Sequence, residues 1–299
     1  MTEPASNSFE ILTPPRWLAP MVFNSPHSGH GLPQDFRHLS SLDENQLRSS
    51  EDSHVDELFS GCLEAGAPLM RSLLSRSYLD LNREPYELDA RMFRERLPAY
   101  VNCASPRVAS GLGTIPRTVG EGVLIYKAPL DFAEAIKRIE TIYRPYHRAL
   151  GALLDEAYNA TGVVLLVDCH SMPSSAVTHI RPTHNRMVDI VLGDRYGNAC
   201  EPEITALIEA HMQAAALTVS RNKPYSGGFF TENHGRPRHG RHAVQIEVNR
   251  ALYMNEASHE PGAGFVALHA VFTSLGEELA EWLKTHSRNA EAGFASAAE

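Results

Sequence analysis

Val163-Val164-Leu165-Leu166-Val167-Asp168-Cys169-His170-Ser171 constrains this chain more than any other stretch. An unbroken apolar run of this length, mostly β-branched, fits a strand buried on both faces. Strands buried on both faces belong to α/β proteins, where helices cover the sheet above and below. The run passes into Asp168 and His170 and then into Met172-Pro173-Ser174-Ser175, a loop by composition. Open α/β sheets bind ligands outside the carboxyl ends of their strands. An aspartate and a histidine at such an end are therefore candidates for chemistry, against the plainer reading that His170 only hydrogen-bonds a neighbouring loop.

Other segments support an alternation of strands and helices. Met21-Val22-Phe23 is a short apolar run broken by Asn24-Ser25-Pro26-His27-Ser28-Gly29-His30-Gly31, a strand and then a loop. A capped helical turn is expected over 41–48 and a helix from Val55 through Leu63. Strands are expected at 69–74 and 77–83, the latter stopped at Glu84-Pro85, and an irregular Arg-, Pro- and Gly-rich stretch at 86–122. Residues 131–157 form a long helical pattern with Phe132, Ile136, Ile139 and Tyr143 in one stripe and a kink expected at Pro145. Beyond the central strand come a strand at 188–193, a helix at 201–216 with Ile204, Leu207, Ile208 and Met212 on its apolar face, a glycine-rich loop at 224–242, a strand at 243–248 and a final helix from Phe265. Alternating strands and helices indicate an α/β sandwich with at least some parallel strands. The chain of 299 residues is read as one catalytic domain spanning 1–299, with an extended lead-in at 1–19 and a mobile tail at 286–299.

The net charge of −9 argues against a nucleic-acid partner, which would call for a basic face. It does not argue against a small anionic substrate, provided arginines converge locally. No apolar run approaches the ~20 residues of a membrane span, and no basic segment leads into an apolar one near residue 1. Cys62, Cys103, Cys169 and Cys200 show no CxxC pairing, as free thiols in a reducing cytosol would. A cytoplasmic enzyme is the expectation. Fifteen histidines, several of them clustered, keep a metal in play.

Five segments carry residue types suited to catalysis. His27 follows a strand, with Gly29 beside it to let the backbone turn sharply and a ligand approach, and His30 is close enough in sequence to share a metal. Glu51-Asp52-Ser53-His54 opens a helix, where acidic residues also suit the helix dipole. Asp80-Leu81-Asn82-Arg83 offers the planar donor fork of an arginine beside an asparagine, suited to a carboxylate. His170 ends the central strand. Glu247 lies on the polar face of its strand with Gln245 and Ala243, opposite Val244, Ile246 and Val248, either solvated or poised as a general base. Two histidines and a carboxylate with an open fourth position are the usual ligands of a hydrolytic zinc, and a separate glutamate can activate water.

In this order the segments resemble the zinc carboxypeptidase superfamily. They more closely resemble the N-formylglutamate amidohydrolase (formylglutamate deformylase) family. The resemblance is carried by Ser25-Pro26-His27-Ser28-Gly29, Asp80-Leu81-Asn82-Arg83, Asp168-Cys169-His170-Ser171, Gly227-Gly228-Phe229-Phe230-Thr231 with Gly235 and Pro237, and Gln245-Ile246-Glu247 with Leu252-Tyr253-Met254, covering about residues 20–256. It implies a three-layer α/β/α sandwich with a mixed central sheet of the zinc-exopeptidase (phosphorylase/hydrolase-like) type. It further implies one zinc ion held by His27, Asp52 and His170, and Glu247 as the base. Asn82 and Arg83 would bind a substrate carboxylate, with Arg76 and the arginines of 236–241 next in line. A lid over 224–242 would hinge at Gly227 and Gly228. The implied reaction is cleavage of N-formyl-L-glutamate to formate and glutamate in histidine breakdown, with a related hydrolase of another N-acyl amino acid, or a binding module without turnover, as alternatives. Two departures stand out. Carboxypeptidases take the second ligand three residues after the first histidine, where this chain has His30; the amidohydrolase family resembles it at Asp52, leaving His30 and His54 as alternates. Family members often carry Ala-Gln where this chain has Asn249-Arg250.

Overall fold

The computed structural model describes residues 8–120, 122–180 and 187–287. Its strands, in chain order, are β1 (Phe9–Leu12), β2 (Met21–Ser25), β3 (Leu69–Ser72), β4 (Thr118–Val119), β5 (Val123–Leu124), β6 (Val164–Met172), β7 (Ile190–Gly193), β8 (Val219–Arg221) and β9 (Arg241–Asn249). Its helices are α1 (Gln34–Leu39), α2 (Glu44–Arg48), α3 (Val55–Leu58), α4 (Pro106–Ala109), α5 (Phe132–Arg138), α6 (Arg144–Thr161), α7 (Pro202–Ala214), α8 (Phe229–His234) and α9 (Phe265–His286). The described residues pack as two compact units, one drawn from within Met1–Glu10, Pro26–Asp52 and Arg71–Leu150, the other from within Ile11–Ser25, Ser53–Met70 and Gly151–Glu299.

A seven-stranded sheet runs in the order β1-β3-β2-β6-β9-β7-β8. β2 and β9 both lie parallel to β6, β7 is antiparallel to β9, and β8 is parallel to β7. The sheet is therefore mixed, as expected for an α/β sandwich. Register decides what each face carries, because neighbouring residues alternate across a strand. Met21 and Phe23 of β2, Leu165, Val167 and Cys169 of β6, Ile190 and Leu192 of β7, and Val244, Ile246 and Val248 of β9 share one face, and all join the main apolar core. In this second unit α3, α7 and α9 cover that face through Val55, Leu58, Ile204, Ile208, Met212, Phe272 and Leu279. The opposite face carries Asn24, Asp168, His170, Gln245, Glu247 and Asn249, all buried. α8 packs there, its first turn bonded to Gln245. A polar row this deeply buried must be internally hydrogen-bonded or bind something.

The first unit is built from short elements. α2 is closed by a capping box in which Asp43 and Gln46 exchange hydrogen bonds. β4 and β5 form a small antiparallel hairpin. The helical run is interrupted just ahead of Pro145: α5 ends at Arg138, a π-helical turn spans Ile139–Tyr143, and α6 begins at Arg144. Proline has no N–H to continue the ladder, and a π turn absorbs the break.

Several boundaries depart from the sequence reading. The lead-in at 1–19 contains strand β1, and β8 is a further strand that was not expected. Both are short edge strands, and three or four residues leave too little periodicity to recognise. Residues 224–242 are not loop throughout, since α8, a 3₁₀ turn at Pro237–His239 and the start of β9 lie within them. Residues 77–83 form turns rather than a strand. α9 ends at His286, and the rest of the expected mobile tail, residues 288–299, lies outside the described residues. The four cysteines are free thiols, and no helix among the described residues is long and apolar enough to cross a membrane.

Candidate metal centre

His27 sits just past the end of β2 and is 1% exposed. The turn that holds it depends on Gly29, where a Cβ would come within 2.5 Å of the Leu73 carbonyl carbon and 2.6 Å of the Ser72 oxygen. No side chain fits there without moving the backbone. The His27 ring is clamped by two carboxylates: its Nε2 lies 2.8 Å from Asp80 Oδ1, and its Nδ1 faces Asp52 Oδ2 at 3.5 Å. Asp52 is fully buried, and its backbone N–H donates to the His27 carbonyl at 3.0 Å. Asp52 thus reaches His27 through a backbone bond just ahead of α3, not from within that helix.

Asp80 explains why the expected strand at 77–83 does not form. Its Oδ1 accepts from the backbone N–H of Asn82 at 2.9 Å, while Tyr78 and Leu79 donate back to the Ser75 carbonyl. Such local bonds offer the backbone an alternative to a ladder. Oδ2 of Asp80 receives Arg76 Nη2 at 2.9 Å and Arg83 Nη2 at 3.2 Å. Burial pushes the Asp80 carboxyl upward, but Arg83, Arg76 and His27 outweigh it and hold the group well below the ordinary carboxylate range. Arg83 also donates from Nε to the Leu112 carbonyl at 2.8 Å and from Nη1 to the Asn82 carbonyl at 2.7 Å. Burial lowers its pKa against the opposing pull of Asp80.

His170 lies within β6 rather than after it, because pairing with β9 continues as far as Met172. Asp168 shares its face two residues earlier, and its Oδ2 lies 3.0 Å from His170 Nε2. Asn24 Nδ2 donates to the other Asp168 oxygen at 2.9 Å. Each histidine is therefore backed on Nε2 by an aspartate, which fixes the ring. Carboxylate–histidine pairs of this kind orient metal-ligating imidazoles and raise their basicity. Glu247 is the β9 partner of His170 and Gln245 that of Asp168. Glu247 is 7% exposed, and its Oε1 accepts from Gln245 Nε2 at 2.7 Å.

His27, Asp52 and His170 each offer one ligand atom, and these atoms lie within 4.8 Å of one another. No other group of three or more His, Cys, Asp or Glu ligand atoms gathers in this way among the described residues. His30 is exposed, and His54 is turned toward the His259 carbonyl and Glu57, so neither joins the group. Two imidazole nitrogens and a carboxylate oxygen, buried together with the far side of both rings braced, fit a tetrahedral divalent ion with one open position. Gly227 has φ +115 and Gly228 opens α8, with its N–H donating to Gln245 Oε1 at 2.8 Å.

The sequence reading assigned no role to Asp80 or Gln245. Gln245 had a local signal, its two-residue spacing from Glu247 on one strand face. Asp80 had none, since its bond to His27 joins residues 53 apart.

Comparison with known proteins bears on the same residues. The model of the N-formylglutamate amidohydrolase family matches residues 19–254. The N-formylglutamate deformylase of Pseudomonas aeruginosa is 27% identical over 278 residues, which span 91% of this chain and 97% of that protein. The deformylase of Pseudomonas putida is 28% identical over 240 residues, 79% of this chain and 82% of that one. The crystal structure of the N-formylglutamate amidohydrolase from Ralstonia eutropha JMP134 superposes with a TM-score of 0.87 at 34% identity, covering 93% of this chain and 99% of that one. With a family model spanning most of its length and that likeness of fold, the chain belongs to the N-formylglutamate amidohydrolase family.

Proposed function

We propose that this protein is a zinc-dependent amidohydrolase that cleaves N-formyl-L-glutamate to formate and L-glutamate. The observation that carries the reading is the buried His27, Asp52 and His170 group in a chain of this family. A zinc ion held by these three residues would supply Lewis acidity toward the formyl oxygen and make water a better nucleophile. Glu247, next to His170, takes the proton from the attacking water and returns it to the leaving amine. It is 7% exposed and is paired in register with His170 across β6 and β9, which supports this role. Asp80 and Asp168 hold the two imidazoles in place.

Asn82 and Arg83 receive a substrate carboxylate. A guanidinium has five N–H donors. Arg83 has acceptors in Leu112, Asn82 and Asp80 among the described residues, so its fork retains donors for a ligand. The α8 segment behind Gly227 and Gly228 closes over the sheet face that bears Glu247. Asn249-Arg250 supports a second reading, hydrolysis of a different N-acyl amino acid, since Arg250 is 6% exposed and donates to Ser171, beside His170.

Metal analysis of the purified protein, followed by formate release across N-formyl and N-acetyl derivatives of glutamate and aspartate, tests both readings. One divalent ion per chain and preferential turnover of N-formyl-L-glutamate, lost on chelation and restored by zinc, is the expected result. Preference for another acyl amino acid selects the second reading. A zinc-loaded protein that hydrolyses none of these compounds would leave a binding module as the better account.

A further inference from the structure

We propose that Gln245 is a positioning residue that sets the Glu247 carboxylate in its working orientation, using the backbone at Gly228 as its anchor; the inference rests on Glu247 being the base. Both side chains lie on the polar face of β9, two residues apart. Gln245 is 4% exposed and both ends of its carboxamide are engaged. Oε1 accepts from the Gly228 N–H at 2.8 Å, and Nε2 donates to Glu247 Oε1 at 2.7 Å.

The order of these bonds follows from chemistry. Gly228 presents an N–H, which can only donate, so the amide oxygen must face it. The NH₂ then faces Glu247, an acceptor while ionised, and the bond to that charge is of the stronger, charge-assisted kind. An ester, a thioether or a carboxylate at position 245 could not serve both neighbours.

The anchor is itself fixed. Gly193 pairs with Gln245 across the β7–β9 ladder, and a Cβ at Gly193 would lie 2.6 Å from the Gly227 nitrogen. The missing side chain lets the 226–228 backbone press onto the sheet and brings the Gly228 N–H within reach. Thr231 Oγ1 donates to the Gly228 carbonyl at 2.8 Å and holds the same residue from inside α8. A glutamate has three rotatable side-chain bonds. Without the Gln245 donor, its carboxylate loses its link to the Gly228 backbone.

Gln245→Met removes both hydrogen bonds at similar volume. Gln245→Glu keeps an acceptor for Gly228 and removes the donor to Glu247. Each variant is compared with wild type and with Glu247→Gln, alone and combined with Gln245→Met, in steady-state formate release from N-formyl-L-glutamate by zinc-loaded protein, with zinc content and Tm measured alongside. The expected result is a fall in kcat of about tenfold to a hundredfold in both Gln245 variants, the scale of a misplaced catalytic group. KM and zinc content are expected to stay near wild type. Gln245→Met should add no further loss in the Glu247→Gln background, because the two residues act as one unit. Wild-type kcat in Gln245→Met and Gln245→Glu, with Glu247→Gln inactive, would overturn the proposal while leaving Glu247 as the base. A loss confined to KM, or one that tracks lost zinc, would also overturn it. Near-normal turnover by Glu247→Gln would instead remove the base assignment on which the proposal stands.

Discussion

His170 on β6 and Glu247 on β9 are register partners, side by side on the face of the sheet that also carries Asp168, Gln245 and Asn249. Both are buried, at 2% and 7% exposure. The imidazole proposed as a metal ligand and the carboxylate proposed as the base are thereby held by hydrogen-bonded neighbouring strands.

Glu247→Gln is expected to retain fold and metal and to lose turnover by about 10²-fold or more, the scale of a missing general base. Glutamine keeps the shape and can still bond to Gln245, so the loss isolates basicity. Zinc content and circular dichroism of the variant, read beside its kcat, check this.

Asp80→Asn should weaken zinc binding by about 10–100-fold, the usual effect of losing a carboxylate behind a ligating histidine. The neutral amide no longer offsets Arg76 and Arg83, and it no longer stabilises the His27 N–H. Competition for zinc against a chelator of known affinity measures the change. Unchanged affinity would mean that the Asp80–His27 bond serves folding alone.

Arg83→Lys is the informative substitution for substrate binding. It keeps a positive charge near Asp80 but removes the planar fork, which lysine does not replace at a bidentate site. The kcat/KM ratio of N-formyl-L-glutamate to a neutral formamide is expected to fall about tenfold or more, one lost charge-assisted hydrogen bond being worth roughly 1.5–3 kcal/mol. Arg83→Ala is less clean, because it also removes one of the two arginines that pair with Asp80. An unchanged ratio in Arg83→Lys would move the carboxylate site elsewhere, with Arg76 the nearest candidate.

Acid sensitivity should come in part from His242. It is 3% exposed, its Nδ1 has no hydrogen-bond partner, and burial depresses its pKa to about 4 from an ordinary 6.5. A histidine held neutral in the folded state binds fewer protons than in the unfolded chain. Stability is therefore present above about pH 6.5 and falls as pH drops toward 4. The cost at pH 5 relative to pH 7 is on the order of 1–2 kcal/mol. Urea melts of wild type and His242→Leu at the two pH values test this. The variant should show a smaller acid loss, and an equal loss would place the sensitivity in other groups.

The alternation of strands and helices, the buried central strand, the polar face of β9, the apolar face of α7 and the break near Pro145 were all legible in the sequence. Each is a property of neighbouring residues, written in periodicity and in proline chemistry. His27, Asp52 and His170 were legible as candidates because they stand in recognisable segments, but their spacing could not choose among Asp52, His30 and His54. Tertiary structure adds the geometry that favours Asp52: the three ligand atoms come within 4.8 Å, with His30 exposed and His54 turned to His259. Residues 77–83 alternate like a strand yet fold as turns, because the Asp80 carboxylate takes up its own backbone and two arginines. The clamp on His27 spans 53 residues and the one linking Gly228 to Gln245 spans 17. Bonds of that reach leave no periodic trace, since they are made only when separate stretches of chain are brought together by the burial of the apolar faces around them.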